Sequence, residues 1–158
     1  MSEEEIRDWL LDRLPESWKT LAPQINADDD EILVVIPLAD TEPDARHARA
    51  RSFREETRDQ RMHIAQEAER RFGRRLAWGV AIGEDSVLFT SLSIPVMTRL
   101  RLPERQVLDT LVQAGVARSR SEALAWCVRL VGRHEADWMR ELRGALVKVG
   151  ELRRRGPK

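Results

Sequence analysis

Two stretches of this chain carry side chains whose types and spacing amount to chemistry. In the first, Met97-Thr98-Arg99-Leu100-Arg101-Leu102, arginines alternate with less polar residues. Successive side chains of a strand point to opposite faces, so Met97, Arg99 and Arg101 would share one face and Thr98, Leu100 and Leu102 the other. Each guanidinium is a planar fork of N–H donors suited to paired acceptor atoms. The second stretch, Ser119-Arg120-Ser121-Glu122, has the spacing of a capping box. Ser119 as N-cap leaves the N–H groups of Arg120 and Ser121 at the positive end of the helix dipole, which is an anion site. A capping box alone does no more than start a helix; set behind an arginine-bearing strand, it becomes half of a surface for a polyanion.

Other chemistries find little support. His47, His63 and His134 have no ligand-like spacing to one another or to Cys127, so they are expected to be solvated or packed and no metal is expected. Asp28-Asp29-Asp30-Glu31 lacks the spacing and glycine of a calcium loop and reads as a solvated turn. No phosphate-binding glycine loop, dinucleotide fingerprint, nucleophile elbow or paired-carboxylate pattern is present, so neither an enzyme nor a cofactor is expected. The lone Cys127 excludes an internal disulfide and falls on an apolar helix face, as a core thiol does. Trp9, Trp18, Trp78, Trp126 and Trp138 read as core or interface anchors. An RNA-binding sheet of the KH type would need a Gly-x-x-Gly loop between helices, which is missing.

Several elements must position these residues. Ser2 and Glu5 have capping-box spacing, and Ile6, Trp9, Leu10 and Leu14 follow at helical intervals up to Pro15. Residues 21–26 and 31–38 read as strands, the second so continuously apolar that burial on both faces is expected. Residues 44–73 read as one long helix or two shorter ones, with an apolar stripe of Phe53, Ile64, Ala68 and Phe72 and with Gly73 at C′. Residues 76–82 and 86–90 form a hairpin about Gly83-Glu84-Asp85. The fold class expected is α+β: an α-β-β-α-β-β domain over residues 1–94, a strand and two helices over 95–133, and a C-terminal amphipathic helix with a basic tail over 134–158. Helical spacing at Val107, Leu108, Leu111 and Val112 closes at Gly115. The next helix carries Ala123, Leu124, Cys127, Val128 and Val131, and Gly132 is expected to break or bend it. From about Glu135 to Arg153, Trp138, Leu142, Ala145, Val149 and Leu152 repeat at 4, 3, 4, 3, the seam of a short coiled coil.

Residues 95–133 resemble the ribbon-helix-helix family of DNA-binding proteins, the Arc/MetJ/CopG class. The strand Thr98–Leu102, the Pro103-Glu104 helix start, Gly115 and Ser119-Arg120-Ser121-Glu122-Ala123-Leu124 carry the resemblance, which covers about a quarter of the chain. It implies that Met97, Arg99 and Arg101 face base edges, with arginine suited to guanine O6 and N7, and that Ser119, Arg120 and Ser121 clamp a phosphate. Met97 departs from the polar residue usual there. The physics agrees with the dimer the family implies. A lone strand leaves backbone groups unpaired on both edges, whereas two copies pairing antiparallel make an isologous ribbon that fits the major groove. Thr98, Leu100 and Leu102 would then line the dimer interface.

Charge is polarised in a way that agrees. The chain has 27 basic and 27 acidic groups, yet residues 1–40 carry 3 basic and 11 acidic and residues 96–158 carry 14 basic and 7 acidic. An acidic head on a basic tail suits an anionic partner for the tail. The partners expected are therefore double-stranded DNA, a second copy of the chain (a dimer or a higher even oligomer), and a protein for the acidic head. No apolar run is long enough to span a membrane and the acidic N-terminus is unlike a signal peptide, so a cytoplasmic transcription regulator is expected. Two alternatives remain open: an antitoxin whose extra segment binds a toxin, and a non-DNA homo-oligomeric scaffold in which strand 96–102 completes the N-terminal sheet.

Overall fold

A computed structural model describes residues 3–156. Among them the chain is mixed α+β, with six α-helices and a four-stranded sheet. It divides into two compact units, Met1–Val96 and Met97–Lys158. The expected N-cap Ser2 lies outside the described residues.

In the first unit, the sheet runs β1 (Gln24–Ala27), β2 (Glu31–Leu38), β3 (Arg75–Ile82), β4 (Asp85–Leu88), in that order. The β1–β2 and β3–β4 pairs are antiparallel, and β2–β3 is parallel, with Val34 opposite Trp78 and Ile36 opposite Val80. A parallel pair needs a crossover. Here it is supplied by α2 (Pro43–Glu56) and α3 (Arg58–Phe72), two helices where the sequence left one or two open. The break falls at Thr57, whose hydroxyl donates to the Phe53 carbonyl at 2.5 Å. Gly73 ends α3 at φ 67°, a left-handed conformation that glycine adopts without a Cβ penalty, and donates to the Glu69 carbonyl.

Alternation decides the packing. Ile32, Val34 and Ile36 of β2 and Trp78, Val80 and Ile82 of β3 form one buried cluster with Ile6, Trp9, Leu10 of α1 (Glu3–Arg13), Ala50 and Phe53 of α2, and Ile64 and Ala68 of α3. Trp18, on a single 3-10 turn at Glu16–Trp18, meets Trp78 edge-on at 5.9 Å and Phe53 at 5.4 Å. On the opposite side of β2 and β3, Val35 and Ala77 are also buried, which is why β2 reads as an unbroken apolar run. The Asp28–Glu31 run is a turn with a job: Asp28 Oδ1 accepts from the N–H groups of Asp30 and Glu31 at 2.9 and 2.7 Å, closing the β1–β2 hairpin. Those bonds hold its carboxyl below its usual pKa.

The second unit contains α4 (Leu102–Gln113), α5 (Arg120–His134) and α6 (Ala136–Arg155). Two expectations are corrected here. Residues 96–101 have no strand structure and add nothing to the sheet, and Leu102 is the first residue of α4. A strand needs a neighbouring strand for its ladder of N–H and C=O groups, and among the described residues none pairs with this segment. Gly132 does not interrupt α5, which continues to His134. A glycine in a helix costs only about 1 kcal/mol, too little to stop it. The hydrophobic seam of α6 is left uncovered among the described residues, none of that helix being buried. None of the described helices is long and apolar enough to cross a membrane.

Candidate nucleic-acid interface

The core of the second unit is small. Leu108, Ala117 and Ala123 are buried, and Leu100, Leu111, Val112, Leu124 and Cys127 pack partly against them. Leu100 thus faces the helices as alternation predicts. Thr98 and Leu102, expected beside it, are exposed, because the chain turns into α4 and ends the period of two. Met97, Arg99 and Arg101 are exposed, Met97 at 95%. Neither Arg99 nor Arg101 forms an ion pair among the described residues.

The extended segment is anchored at its end. Arg101 is the N-cap of α4 and its backbone N–H donates to the Glu104 carboxylate. Arg105 reaches back to donate from Nη1 to the Leu100 carbonyl at 2.6 Å. Pro103 adds a fixed φ where a missing N–H costs nothing. The Arg101 side chain is therefore held by its backbone and left uncommitted itself.

Ser119 caps α5 as its spacing predicts. Its Oγ accepts from Glu122 N–H at 3.2 Å, and the Glu122 carboxylate accepts from Arg118 N–H at 2.8 Å. The N–H groups of Arg120 and Ser121 belong to the first turn and have no carbonyl four residues back within the helix. The Arg120 guanidinium is already engaged: Nε and Nη2 bind the two oxygens of Asp109 at 2.6 and 2.7 Å. That fork commits the guanidinium charge to Asp109 and leaves the backbone N–H and Nη1 of Arg120 to an anion. Sequence reasoning missed Asp109 and Arg105, which stand outside both motifs: Arg105 reaches back to Leu100 at the start of α4, and Asp109 binds Arg120 across the turn at Gly115.

The Asp109–Arg120 fork joins α4 to α5, and the guanidinium holds the Asp109 carboxyl below its ordinary value of 3.8. A lowered folded-state pKa contributes stability that is complete above that ordinary value and is lost as pH falls through the folded one. Melting of wild type and Asp109→Asn, followed from about pH 6 down to about pH 2, should show two curves that are apart at the neutral end and meet at the acid end. Curves that stay parallel throughout would assign the difference to something other than this carboxylate.

A groove of ≈ 480 Å³ runs between α5 and α6, lined by Cys127, Val128, Val131 and Met139 among others. No group of three or more His, Cys, Asp or Glu with metal-binding geometry occurs among the described residues.

Comparison with known proteins matches both units. Residues 4–88 match the family model described as Rv1265-like protein, N-terminal domain, and residues 101–153 match that of the Mb1296 C-terminal domain. Protein Mb1296 of Mycobacterium bovis and protein Rv1265 of Mycobacterium tuberculosis (strain H37Rv) are each 50% identical to the chain over 156 residues, which is 95% of this chain and 69% of theirs. No solved structure matches. With one family model spanning more than half of its residues and relatives at that identity, the chain belongs to the Rv1265-like family, an Rv1265-like N-terminal domain followed by an Mb1296 C-terminal domain.

Proposed function

We propose that the protein is a homodimeric, sequence-specific DNA-binding regulator. In this reading, residues 97–101 of two copies pair as an antiparallel ribbon that enters the major groove with Arg99 and Arg101, while the N–H groups of Arg120 and Ser121 hold a backbone phosphate. The observation that carries it is the apolar surface left bare on the second unit. Leu102, Val107, Val116, Val128 and Val131 are 45–66% exposed around a core of three buried residues. A unit of this size with so little buried would gain stability from a second copy, which by pairing at the same segment would cover the surface and satisfy the backbone of residues 96–101 together. The unpaired arginines on that segment and the 14 basic against 7 acidic groups of residues 96–158 supply the attraction for DNA.

Sedimentation of the full chain at micromolar concentration should return a dimer or a higher even oligomer. A monomer would remove both the ribbon and the DNA reading. The exposed seam of α6 favours a second reading, a self-assembling scaffold without DNA. An oligomer that fails to retard any duplex at low salt in a gel shift would decide for that scaffold.

A further inference from the structure

The first unit contains a buried cation with no anion. Arg61 of α3 is 7% exposed. Its Nε donates to Thr57 Oγ1 at 3.0 Å and its Nη2 to the Arg54 carbonyl at 2.6 Å, and its guanidinium carbon sits 4.8 Å from the centroid of the Phe89 ring. All three partners are neutral. Burial pushes the Arg61 pKa down, and the positive charges of Arg54, whose guanidinium lies 5.9 Å from the same ring, and Arg58 lower it further. Arg58 is also the first residue of α3, at the end of the helix where the dipole disfavours a cation.

Three arginines of this unit find carboxylates, Arg13 with Glu67, Arg46 with Asp40 and Asp85, and Arg74 with Asp29, and what sets Arg61 apart from the unpaired ones is its burial. Among the described residues Arg54, Arg58 and Arg61 form no ion pair. Burying an unpaired charge is costly, and two like charges beside it raise the cost. An anion would pair the buried charge and make the two neighbouring guanidinium groups attractive to the group bound there.

We propose that Arg54, Arg58 and Arg61 form a binding site for a doubly charged phosphoryl group, either free phosphate or the monoester end of a phosphorylated small molecule. Three guanidinium groups are better neutralised by a group carrying close to two negative charges and three acceptor oxygens than by a singly charged carboxylate or phosphodiester. Phe89 and Thr57 fix the plane of the Arg61 fork, whose Nη1 neither hydrogen bond takes up. Arg54 and Arg58 are exposed and would close on the anion from outside, Arg54 from beside the same Phe89 ring as Arg61. This site belongs to the first unit and owes nothing to the DNA reading.

The test is a phosphorus-31 NMR titration of the full chain with inorganic phosphate, at constant ionic strength in chloride. Wild type should show saturable binding. The Arg54→Gln/Arg58→Gln double variant, whose altered side chains are exposed and form no ion pair among the described residues, should melt no lower than wild type in chloride, because two like charges beside Arg61 are removed, and should bind phosphate about tenfold or more weakly. A phosphate monoester should compete, and acetate or a short DNA duplex should not. Absence of saturable binding by wild type, or equal affinity in the double variant, would overturn the site. Equal competition by acetate or by the duplex would overturn the phosphoryl assignment.

Discussion

The Arg99→Ala/Arg101→Ala variant is expected to keep its oligomeric state and lose its preferred DNA site. An arginine fork on guanine discriminates by ~1–3 kcal/mol, so two together account for ~2–6 kcal/mol, a loss of about thirtyfold at the lower end. The folded chain should not notice the change, because both side chains are exposed and unpaired and the start of α4 is held by the backbone N–H of residue 101 on Glu104. Ser119→Ala makes the contrast. It removes a cap worth ~1 kcal/mol and loosens the first turn of α5, so binding should weaken on all sequences alike. Gel shifts of the three proteins on the preferred site and on an unrelated duplex separate the two patterns. Equal binding of the preferred site by wild type and the double variant would sink the reading of bases by this segment.

The largest stability effect is expected at Trp78. It is 3% exposed, lies opposite Val34 in the parallel pair, and meets Trp18 edge-on, so Trp78→Ala should cost ~3–5 kcal/mol. Its indole Nε1 is buried with no acceptor among the described residues. Trp78→Phe discards that unsatisfied donor along with some volume and should cost much less than the alanine. Urea unfolding with unchanged slope gives both numbers. A phenylalanine variant as unstable as the alanine one would mean that ring volume alone decides the site.

How much of this was legible in the sequence depends on how local each feature is. β2 and the β3–β4 hairpin are legible because unbroken apolar runs and Gly83 belong to the segments themselves, and the Gly73 cap because only glycine takes that φ cheaply. The break at Thr57 is not, since neither proline nor glycine marks it. The hydroxyl that serves the Phe53 carbonyl and the Arg61 Nε can be seen only in place. The alternation at 97–102 runs on into the first turn of α4, so period alone could not tell where the extended segment stops. Of the candidate site, the Ser119 cap is local and was readable, whereas Asp109 binds Arg120 eleven residues away across a turn that no spacing rule links. The exposure of Leu102, Val107 and Val128 is likewise a property of packing and not of pattern.

The parallel pairing of β2 with β3 has a consequence for synthesis. Once the β1–β2 hairpin has left the ribosome, and until β3 follows it, one long edge is unpaired and Ile32, Val34 and Ile36 lack the strand and helices that cover them in the folded unit. A two-stranded hairpin is marginal in water, and an apolar strand with a bare edge invites pairing with other chains. Nothing relieves this until Arg75–Ile82 has left the exit tunnel, so the nascent chain passes through an aggregation-exposed interval that lasts as long as the crossover takes to make. Fragments that end within α2 or α3 should therefore accumulate as insoluble material.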